Sequence, residues 1–246
     1  MYEPVKDGVD KTVVSVVYTE DKPPDHLSNH VHSFWELRTE KQLPDDFCLH
    51  ALPDACVNIL FNQLNTEIAG ITALRTTYEV LNLGREFHYV GIQFFPGVWQ
   101  GNLADTTDSF VGTAYQGELP LIETSNEMSG LNFQGKQLSL SNLVDQLVDK
   151  KLADINPITD KILANIDNIQ SVTDMAIATQ MSARQLLRTL KRATGFSPHD
   201  FLKVLRLQQS FRQHYLETYS DQSHFIHSFR KITGYTPAEY FRKFDV

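Results

Sequence analysis

The spacing of apolar and polar residues divides the chain into two parts. From about Thr12 to Gln100, short apolar or alternating segments are separated by the turn-forming residues Pro, Gly, Asn and Asp. The pattern predicts strands at 12–18, 31–38, 47–52, 56–61, 67–70, 78–83 and 89–95. Many short strands at this spacing are typical of a β-sandwich or barrel.

The hydrophobic period becomes helical after about Gly101. Leucines at positions 138, 140, 143, 147 and 152 recur near helical spacing, and they predict an amphipathic helix over 141–153. Such a helix can pack on the preceding β-rich region or pair with a second copy of the chain. The pattern is helical from Pro157 to the end, and Pro157 suits a first helical position.

Residues 171–195 have the parts of a helix-turn-helix. Ser171 is a good N-cap for a short first helix, and 180–182 form a tight turn. A second helix is predicted from Ala183 to about Thr194, where Gly195 ends it.

The second of these helices is basic. Leu186 and Leu190 lie four residues apart on its inward face, and no acidic residue occurs between Asp174 and Asp200. The remaining surface carries Arg184, Arg188, Lys191 and Arg192. A helix in the major groove of DNA needs cations for phosphates and side chains near its N-terminus for base edges. From the pattern alone, the alternative is a solvated basic face on an ordinary helix.

The net charge of −8 hides an asymmetry between the two parts. Residues 1–166 contain 11 Lys+Arg and 23 Asp+Glu, a net −12, whereas residues 167–246 contain 11 and 7, a net +4. DNA affinity depends on the local charge that faces phosphates, so an acidic total does not exclude DNA binding. A basic end behind an acidic body indicates two domains with different partners.

Two strings in the C-terminal part resemble the AraC family of transcription regulators. S-A-R-Q-L-L-R-T-L-K-R-A-T-G-F-S-P at 182–198 resembles the first recognition helix of that family. S-D-Q-S-H-F-I-H-S-F-R-K-I-T-G-Y-T-P-A-E-Y at 220–240 resembles the second. The match spans about 157–245 and implies an all-α domain with two helix-turn-helix units that bind double-stranded DNA.

The resemblance also implies which side chains face DNA. In the first helix they are Ala183, Arg184, Leu187 and Arg188, with Lys191 and Arg192 placed for the backbone. In the second they are Gln222, Ser223, Ile226 and His227, followed by Arg230 and Lys231. Leucines 186 and 190 and phenylalanines 225 and 229 map to packing positions.

Two departures from the family pattern concern the second unit. His227 stands where many members carry Arg, and a neutral His makes weaker contacts with phosphate or guanine. Fifteen positions separate Arg206 from Asp221, about ten fewer than is usual in the family. The missing residues would normally form the scaffold helix of the second unit, so its DNA contact is in question.

The N-terminal part resembles an uncharacterised cupin-like domain that often precedes AraC-type domains. The resemblance rests on F-W-E-L-R at 34–38, L-P-D-A-C-V-N-I-L-F at 52–61 and V-G-I-Q-F-F-P-G at 90–97. The expected fold class is therefore α+β, an N-terminal cupin-like β-sandwich or barrel followed by an all-α helix-turn-helix domain. We expect a β-rich sensor or oligomerisation domain at 1–133, a linker helix at 134–155 and the AraC-type domain at 156–246.

Two sets of N-terminal residues are weak candidates for a ligand or metal site. The aromatic residues can line a pocket or simply form core: Trp35, Phe61, Phe94 and Trp99. His30 and His32 have the spacing that puts two imidazoles on one strand face, but no Glu stands at the spacing usual in a cupin metal site. We therefore expect no metal and no cofactor.

No catalytic residue is predicted. Cys48 and Cys56 fit neither a zinc pattern nor a disulfide framework, and no nucleophile motif or Gly-rich phosphate loop occurs. No apolar run reaches about 18 residues, and the first ten residues lack the apolar region of a signal peptide. These features predict a cytoplasmic protein without a membrane partner.

The hypothesis is a nucleoid-associated transcription regulator, activator or repressor, that binds specific DNA sequences and responds to an unknown ligand or partner through its N-terminal domain. Besides DNA, the candidate partners are RNA polymerase, a small-molecule effector and a second copy of the chain. Two alternatives stay open. One is an interaction protein with degraded DNA readout, and the other is a metal-dependent cupin enzyme with a DNA-binding tail.

Overall fold

The computed structural model describes residues 2–72, 74–102, 114–212 and 222–246. In these ranges eight strands precede the α-helices and one short strand follows them, so the expected α+β class is confirmed. The strands are β1 (Val9–Asp10), β2 (Val16–Asp21), β3 (Val31–Thr39), β4 (Phe47–Ala51), β5 (Asn58–Asn62), β6 (Ala69–Ile71), β7 (Glu79–Gly84), β8 (His88–Phe94) and β9 (Phe244–Asp245). The helices are α1 (Leu121–Glu127), α2 (Phe133–Asp149), α3 (Pro157–Ala164), α4 (Val172–Thr179), α5 (Ala183–Thr194), α6 (Pro198–Arg212), α7 (Gln222–Thr233) and α8 (Pro237–Lys243).

A five-stranded antiparallel sheet with the order β2-β3-β8-β5-β6 forms the centre of the N-terminal region. Side chains alternate between the faces of a strand, so Ile59 and Phe61 of β5 point to one face and Leu60 to the other. The two-stranded sheet β4-β7 packs on the Leu60 face through residues such as Leu49 and Leu81. Helices α1 and α2 cover the opposite face.

Helix α2 packs on its own β-rich region, which is one of the two arrangements that its apolar spacing allowed. Leu140, Leu143 and Leu147 are buried in one cluster with sheet residues. The predicted bounds, 141–153, are wrong at both ends. The helix begins earlier because the side chain of Asn132 caps it by accepting a hydrogen bond from Gly135 N.

A buried ion cluster attaches α2 to β3. Nζ of Lys136 lies 2.6 Å from Oε1 of Glu36, and Nε2 of His88 lies 2.8 Å from the same oxygen. Burial raises the pKa of Glu36, but the hydrogen bonds from His88 and Lys136 outweigh it and lower the pKa to about 2. The carboxylate is therefore ionised at neutral pH, and it compensates the buried ammonium of α2.

The seven predicted strands correspond to β2–β8, with corrections at their ends. The largest concerns the run predicted at 12–18, because the strand observed there is Val16–Asp21. Strands β1 and β9 were not predicted, since two-residue strands have no period. They exist because two distant segments meet, with Val9 opposite Asp245 in an antiparallel pair.

The helical region packs around an apolar core that also includes Tyr2, Ala55 and Cys56 of the N-terminal region. Leu186 and Leu190 of α5 are fully buried in one cluster with Met175 of α4 and Phe201 of α6. Gly195 ends α5 in the left-handed conformation, at a φ of 73°, which costs glycine little. Within the described ranges, none of the helices has the length and apolar composition needed to cross a membrane.

The N-terminal and helical regions share buried surface. Gln208 of α6 is fully buried, and its amide is hydrogen-bonded at both ends. Nε2 donates to the carbonyl of Pro53 at 2.9 Å, and Oε1 accepts from the backbone N–H of Val5 at 2.8 Å. Leu52 lies in the apolar cluster that also contains residues of α7 and α8. Leu52 and Pro53, which come just before β5 in the N-terminal region, therefore contact the helical region.

Candidate nucleic-acid interface

The turn between α4 and α5 is fixed by local hydrogen bonds. Ser171 caps α4 by accepting from Asp174 N, and Gln180 ends the helix in the left-handed conformation. At the start of α5, Ser182 Oγ accepts from Gln185 N at 3.3 Å, and Gln185 Oε1 accepts from Ser182 N at 2.9 Å. This reciprocal capping box sets the direction of α5 relative to α4.

The side chains that the sequence assigned to DNA on α5 all lie at the surface. Exposed residues are Ala183, Arg184, Leu187, Arg188, Lys191 and Arg192. Among the described residues, no carboxylate lies within ion-pair distance of Arg184 or Arg188. Leu187 is 43% exposed, so it is free to contact a thymine methyl group. Helix α5 thus presents its cations to solvent.

Helix α7 also presents polar and basic side chains. Ser223, His227, Arg230 and Lys231 are exposed, whereas Ile226 is partly buried against an apolar cluster. The side chain of Gln222 lies outside the described residues. The assigned packing residues of this helix, at positions 225 and 229, are buried as expected.

The predicted shortening of the second unit stays a prediction. Helix α6 ends at Arg212 and α7 begins at Gln222, so the place of the scaffold helix, 213–221, lies outside the described residues. Arg206 instead has a described role in the first unit. Its guanidinium donates to the carbonyl of Gln170 and, at 2.9 Å, to Oε1 of the same residue, just before α4.

The core beneath α7 includes side chains from the β-rich region. It combines Leu207, Phe225, Phe229, Ile232, Tyr240 and Phe244 with Leu52. Hydrogen bonds reinforce the contact, since Tyr78 N donates to the carbonyl of Ile232 at 2.8 Å. Lys11 N likewise donates to the carbonyl of Lys243 at 3.0 Å.

His50 of β4 lies in the middle of this contact. Its ring is 2% exposed and stacks on Tyr78, with centroids 4.7 Å apart. Nδ1 lies 3.2 Å from the hydroxyl of Tyr240, and the Phe244 ring is 4.8 Å away. Burial lowers the pKa of His50 to about 4, and the nearby charge of Lys243 acts in the same direction. The imidazole is therefore neutral at pH 7.

Comparison of the sequence with known protein families agrees with the helix-turn-helix geometry of the C-terminal region. A family model described as a helix-turn-helix domain matches residues 175–243. The C-terminal region is an AraC-type helix-turn-helix domain. A second model, described as a domain of unknown function (DUF6597), matches residues 19–114. No curated protein and no solved structure gives a significant match. The AraC-type match supports a DNA-binding transcription regulator and implies a regulator rather than an enzyme.

The candidate aromatic residues of the N-terminal domain are not brought together in one pocket. Phe61, Phe94 and Trp99 lie in the core under α1 and α2, where the indole Nε1 of Trp99 is buried without a described partner. Trp35 lies on the other side of the sheet and lines a cavity there. The N-terminal domain therefore places one of these four residues, Trp35, at a cavity.

The candidate histidines do not form a described metal site. His32 is buried, and its Nδ1 donates to Oε1 of Gln93 at 2.8 Å. Nδ1 of His30 is buried without a described partner. Within the described ranges, no group of three or more His, Cys, Asp or Glu side chains could hold a metal ion.

Sequence reasoning missed the polar residues around the cavity beside Trp35. They are Lys6, Asp7, Asp54, Asn58, Thr72, Arg75 and Gln93. The string L-P-D-A-C-V-N-I-L-F contained two of them, but it gave no sign that they face an internal space. Asp7 comes from a segment with no recognisable motif, and only the tertiary fold brings it to the cavity.

Proposed function

We propose that this AraC-type protein is a sequence-specific transcription regulator that contacts DNA mainly through α5. The observation that carries the proposal is the exposed basic face of a capped helix whose apolar face is fully buried. Arg184 and Arg188 lie one turn apart near the N-terminus of α5, where a helix in the major groove meets base edges. Lys191 and Arg192 follow on the next turn, placed for phosphates.

Helix α7 supplies a second and weaker contact in this proposal. Arg230 and Lys231 are exposed cations, but they lie in the last turn of the helix rather than at its start. The first turns carry Ser223 and His227, neither of which bears the permanent positive charge of an arginine. We therefore assign base readout chiefly to the first unit and backbone attachment chiefly to the second.

The N-terminal domain is proposed to make DNA binding depend on a ligand. The support is the shared surface, because the segment 52–56 lines the cavity beside Trp35 and also contacts α6 and α7. A ligand that changes this segment has a direct route to the second unit. Such coupling requires that the ligand bind two arrangements of the protein with different affinity.

The remaining predictions extend this proposal. They include the domain limits at 1–133, 134–155 and 156–246, a homodimer on paired half-sites, contact with RNA polymerase, and a place in the cytoplasm at the nucleoid. A dimer would bind half-sites spaced by whole helical turns, about 10 base pairs each.

DNA binding by the purified full chain, measured over a library of genomic fragments at two salt concentrations, tests the function. The wild type is expected to enrich a defined sequence. The double variant Arg184→Ala/Arg188→Ala is expected to lose it, at about 1–3 kcal/mol for each good base contact. Lys41→Ala/Lys150→Ala is the matched control, because it removes two exposed cations from the N-terminal region.

Equal losses in the two double variants would show a general charge effect and would contradict base readout by α5. Sequence-blind binding by the wild type would favour the interaction-protein alternative instead. The length of the enriched sequence would separate one contacting unit from two.

A further inference from the structure

A cavity of about 90 Å³ lies between the five-stranded sheet and the two-stranded sheet. Its apolar wall includes Leu37 and Leu60 from the larger sheet and Leu49 and Leu81 from the smaller one. Both sheets therefore line the cavity, and the half-buried residues Lys6, Asp7 and Arg75 also lie at its wall.

Two carboxyl groups face this cavity, and they have few hydrogen-bond donors. Asp7 Oδ1 accepts from Leu52 N at 2.7 Å, whereas no described residue donates to Oδ2. Asp54 accepts from Cys56 N at 2.9 Å and from Nε2 of Gln93 at 2.6 Å. One carboxylate oxygen at the cavity wall thus lacks a protein donor among the described residues.

The cations near the cavity do not balance these carboxylates. Arg75 is paired with Glu79 at 3.1 Å, and Lys6 is paired with Asp245 at 2.6 Å. Burial raises the pKa of Asp7 to about 7 and also raises the pKa of Asp54, although the charge of Arg75 opposes both shifts. The site therefore has a deficit of positive charge when both carboxyl groups are ionised.

Aromatic rings complete the wall. Trp35 lies across Gly91, where any Cβ would overlap the indole, and its Nε1 donates to Oδ1 of Asn58 at 3.1 Å. Tyr18 stacks beside Trp35, with centroids 6.4 Å apart, and Tyr18 also lines the cavity. Aromatic faces attract organic cations, most strongly those of Trp.

We propose that this cavity binds a small organic cation, a primary ammonium or a guanidinium, between the carboxylates of Asp7 and Asp54 and the ring of Trp35. The inference rests on the proposed ligand response and gives it a chemical class. The volume restricts the cation to a few heavy atoms, since a larger cavity, of about 150 Å³, holds benzene. A cation supplies both the missing donor and the missing positive charge.

The location of the carboxylates connects this ligand to the helical region. Asp7 holds the backbone of Leu52, which packs in the cluster of α7 and α8. Asp54 follows Pro53, whose carbonyl accepts the hydrogen bond from Gln208 of α6. A cation that binds both carboxylates therefore acts on residues 52–54, the segment that contacts the DNA-binding domain.

The test uses methylguanidinium as the probe, with N-methylurea as a neutral compound of the same shape. Binding to the full chain is measured at pH 8, where Asp7 is ionised, by NMR chemical shifts of the protein methyl groups. We expect saturable binding of methylguanidinium alone, with shifts at Leu60 and Thr72. Asp7→Asn and Asp54→Asn should each weaken it at least about tenfold, as expected for loss of a charged hydrogen-bond acceptor.

Asp149→Asn is the matched control, since this carboxylate is exposed at the end of α2. Asparagine keeps an oxygen for Leu52 N at position 7, so the variant is expected to fold, and its thermal midpoint checks this. Equal binding of the two probes, no binding of either, or an affinity that neither variant changes would overturn the cation site.

DNA affinity of the wild type, with and without methylguanidinium, separates this inference from the proposed function. Cation binding without a change in DNA affinity would support the cation site and contradict the proposed ligand response. Specific DNA binding by a protein that does not bind methylguanidinium would support the proposed transcription regulator and contradict the cation site.

Discussion

The two helix-turn-helix units of this protein are supported in different ways. The first, α4 and α5, is held by its own caps and by the apolar core around Leu186 and Leu190. Tyr2, Ala55 and Cys56 of the N-terminal region lie in the same core. Among the described residues, no hydrogen bond joins α4 or α5 to the N-terminal domain. The second, α7 with α8, receives hydrogen bonds from Tyr78 and Lys11 and shares its apolar core with Leu52.

This difference indicates a division of roles. A helix whose ends are fixed by its own caps, and that no described hydrogen bond ties to the N-terminal domain, depends less on that domain, which suits base readout. A helix that rests on another domain changes position with that domain, which suits regulation. The short spacing between Arg206 and Asp221 agrees with this view, because packing on β4 and on Leu52 can replace support that a full scaffold helix would give.

The largest expected effect comes from removing the shared apolar contact. Leu52→Ala is expected to cost about 2–5 kcal/mol of unfolding free energy, because Leu52 is only 5% exposed. Hydrogen exchange should speed up in α7 and α8 and stay unchanged in α5 under native conditions. Global stability is measured by urea unfolding and local stability by exchange with mass spectrometry.

Leu60→Ala is the matched control for Leu52→Ala. Leu60 is 4% exposed, but it lies between the two sheets and outside the cluster of α7. Its loss is expected to cost a similar free energy without a selective effect on α7. Faster exchange in α5 than in α7 after Leu52→Ala would contradict the proposed division.

A smaller loss of stability is expected at low pH, where His50 becomes protonated. Its pKa in the folded protein, about 4, lies below its ordinary value of 6.5. The unfolded chain takes up the proton first, so the contribution of neutral His50 is complete above about pH 6.5 and is lost as pH falls toward 4. Protection factors, which correct for the slower intrinsic exchange at lower pH, should therefore fall more in α8 than in α5 between pH 7 and pH 5.

His50→Gln isolates this titration from that of the carboxylates. The difference in unfolding free energy between wild type and His50→Gln is expected to shrink with acidification over that range. A difference that stays constant from pH 7 to pH 4.5 would show that the pKa of His50 is the same in the folded and unfolded protein. Urea unfolding at intervals of pH gives the required curve.

The smallest expected effect concerns the weaker DNA contact that we propose for α7. His227 is exposed, and His227→Arg places a permanent cation where many AraC-type proteins carry one. The variant should bind DNA more tightly by about 1 kcal/mol, with a salt slope steeper by about one phosphate contact. Titration at several salt concentrations measures both, and unchanged binding would place α7 away from DNA.

The sequence located the first unit well because each of its signals is local. Ser171, Ser182 and Gly195 stand at fixed offsets from the helices that they cap, and the cations fall on the face opposite two leucines. The strands of the N-terminal domain were also found, because each spans several alternations of apolar and polar residues. The ends of α2 were missed, since the start depends on one capping side chain, Asn132, rather than on a period.

The sequence by itself determined the α+β class, the helix-turn-helix and its basic surface, because these depend on neighbours along the chain. Only the tertiary structure decided that α2 covers the sheet, that β1 pairs with β9, and that Asp7 and Asp54 face one cavity. Only it placed His50 against Tyr240. These contacts join residues far apart in sequence, and their energy comes from burial and charge that no local spacing encodes.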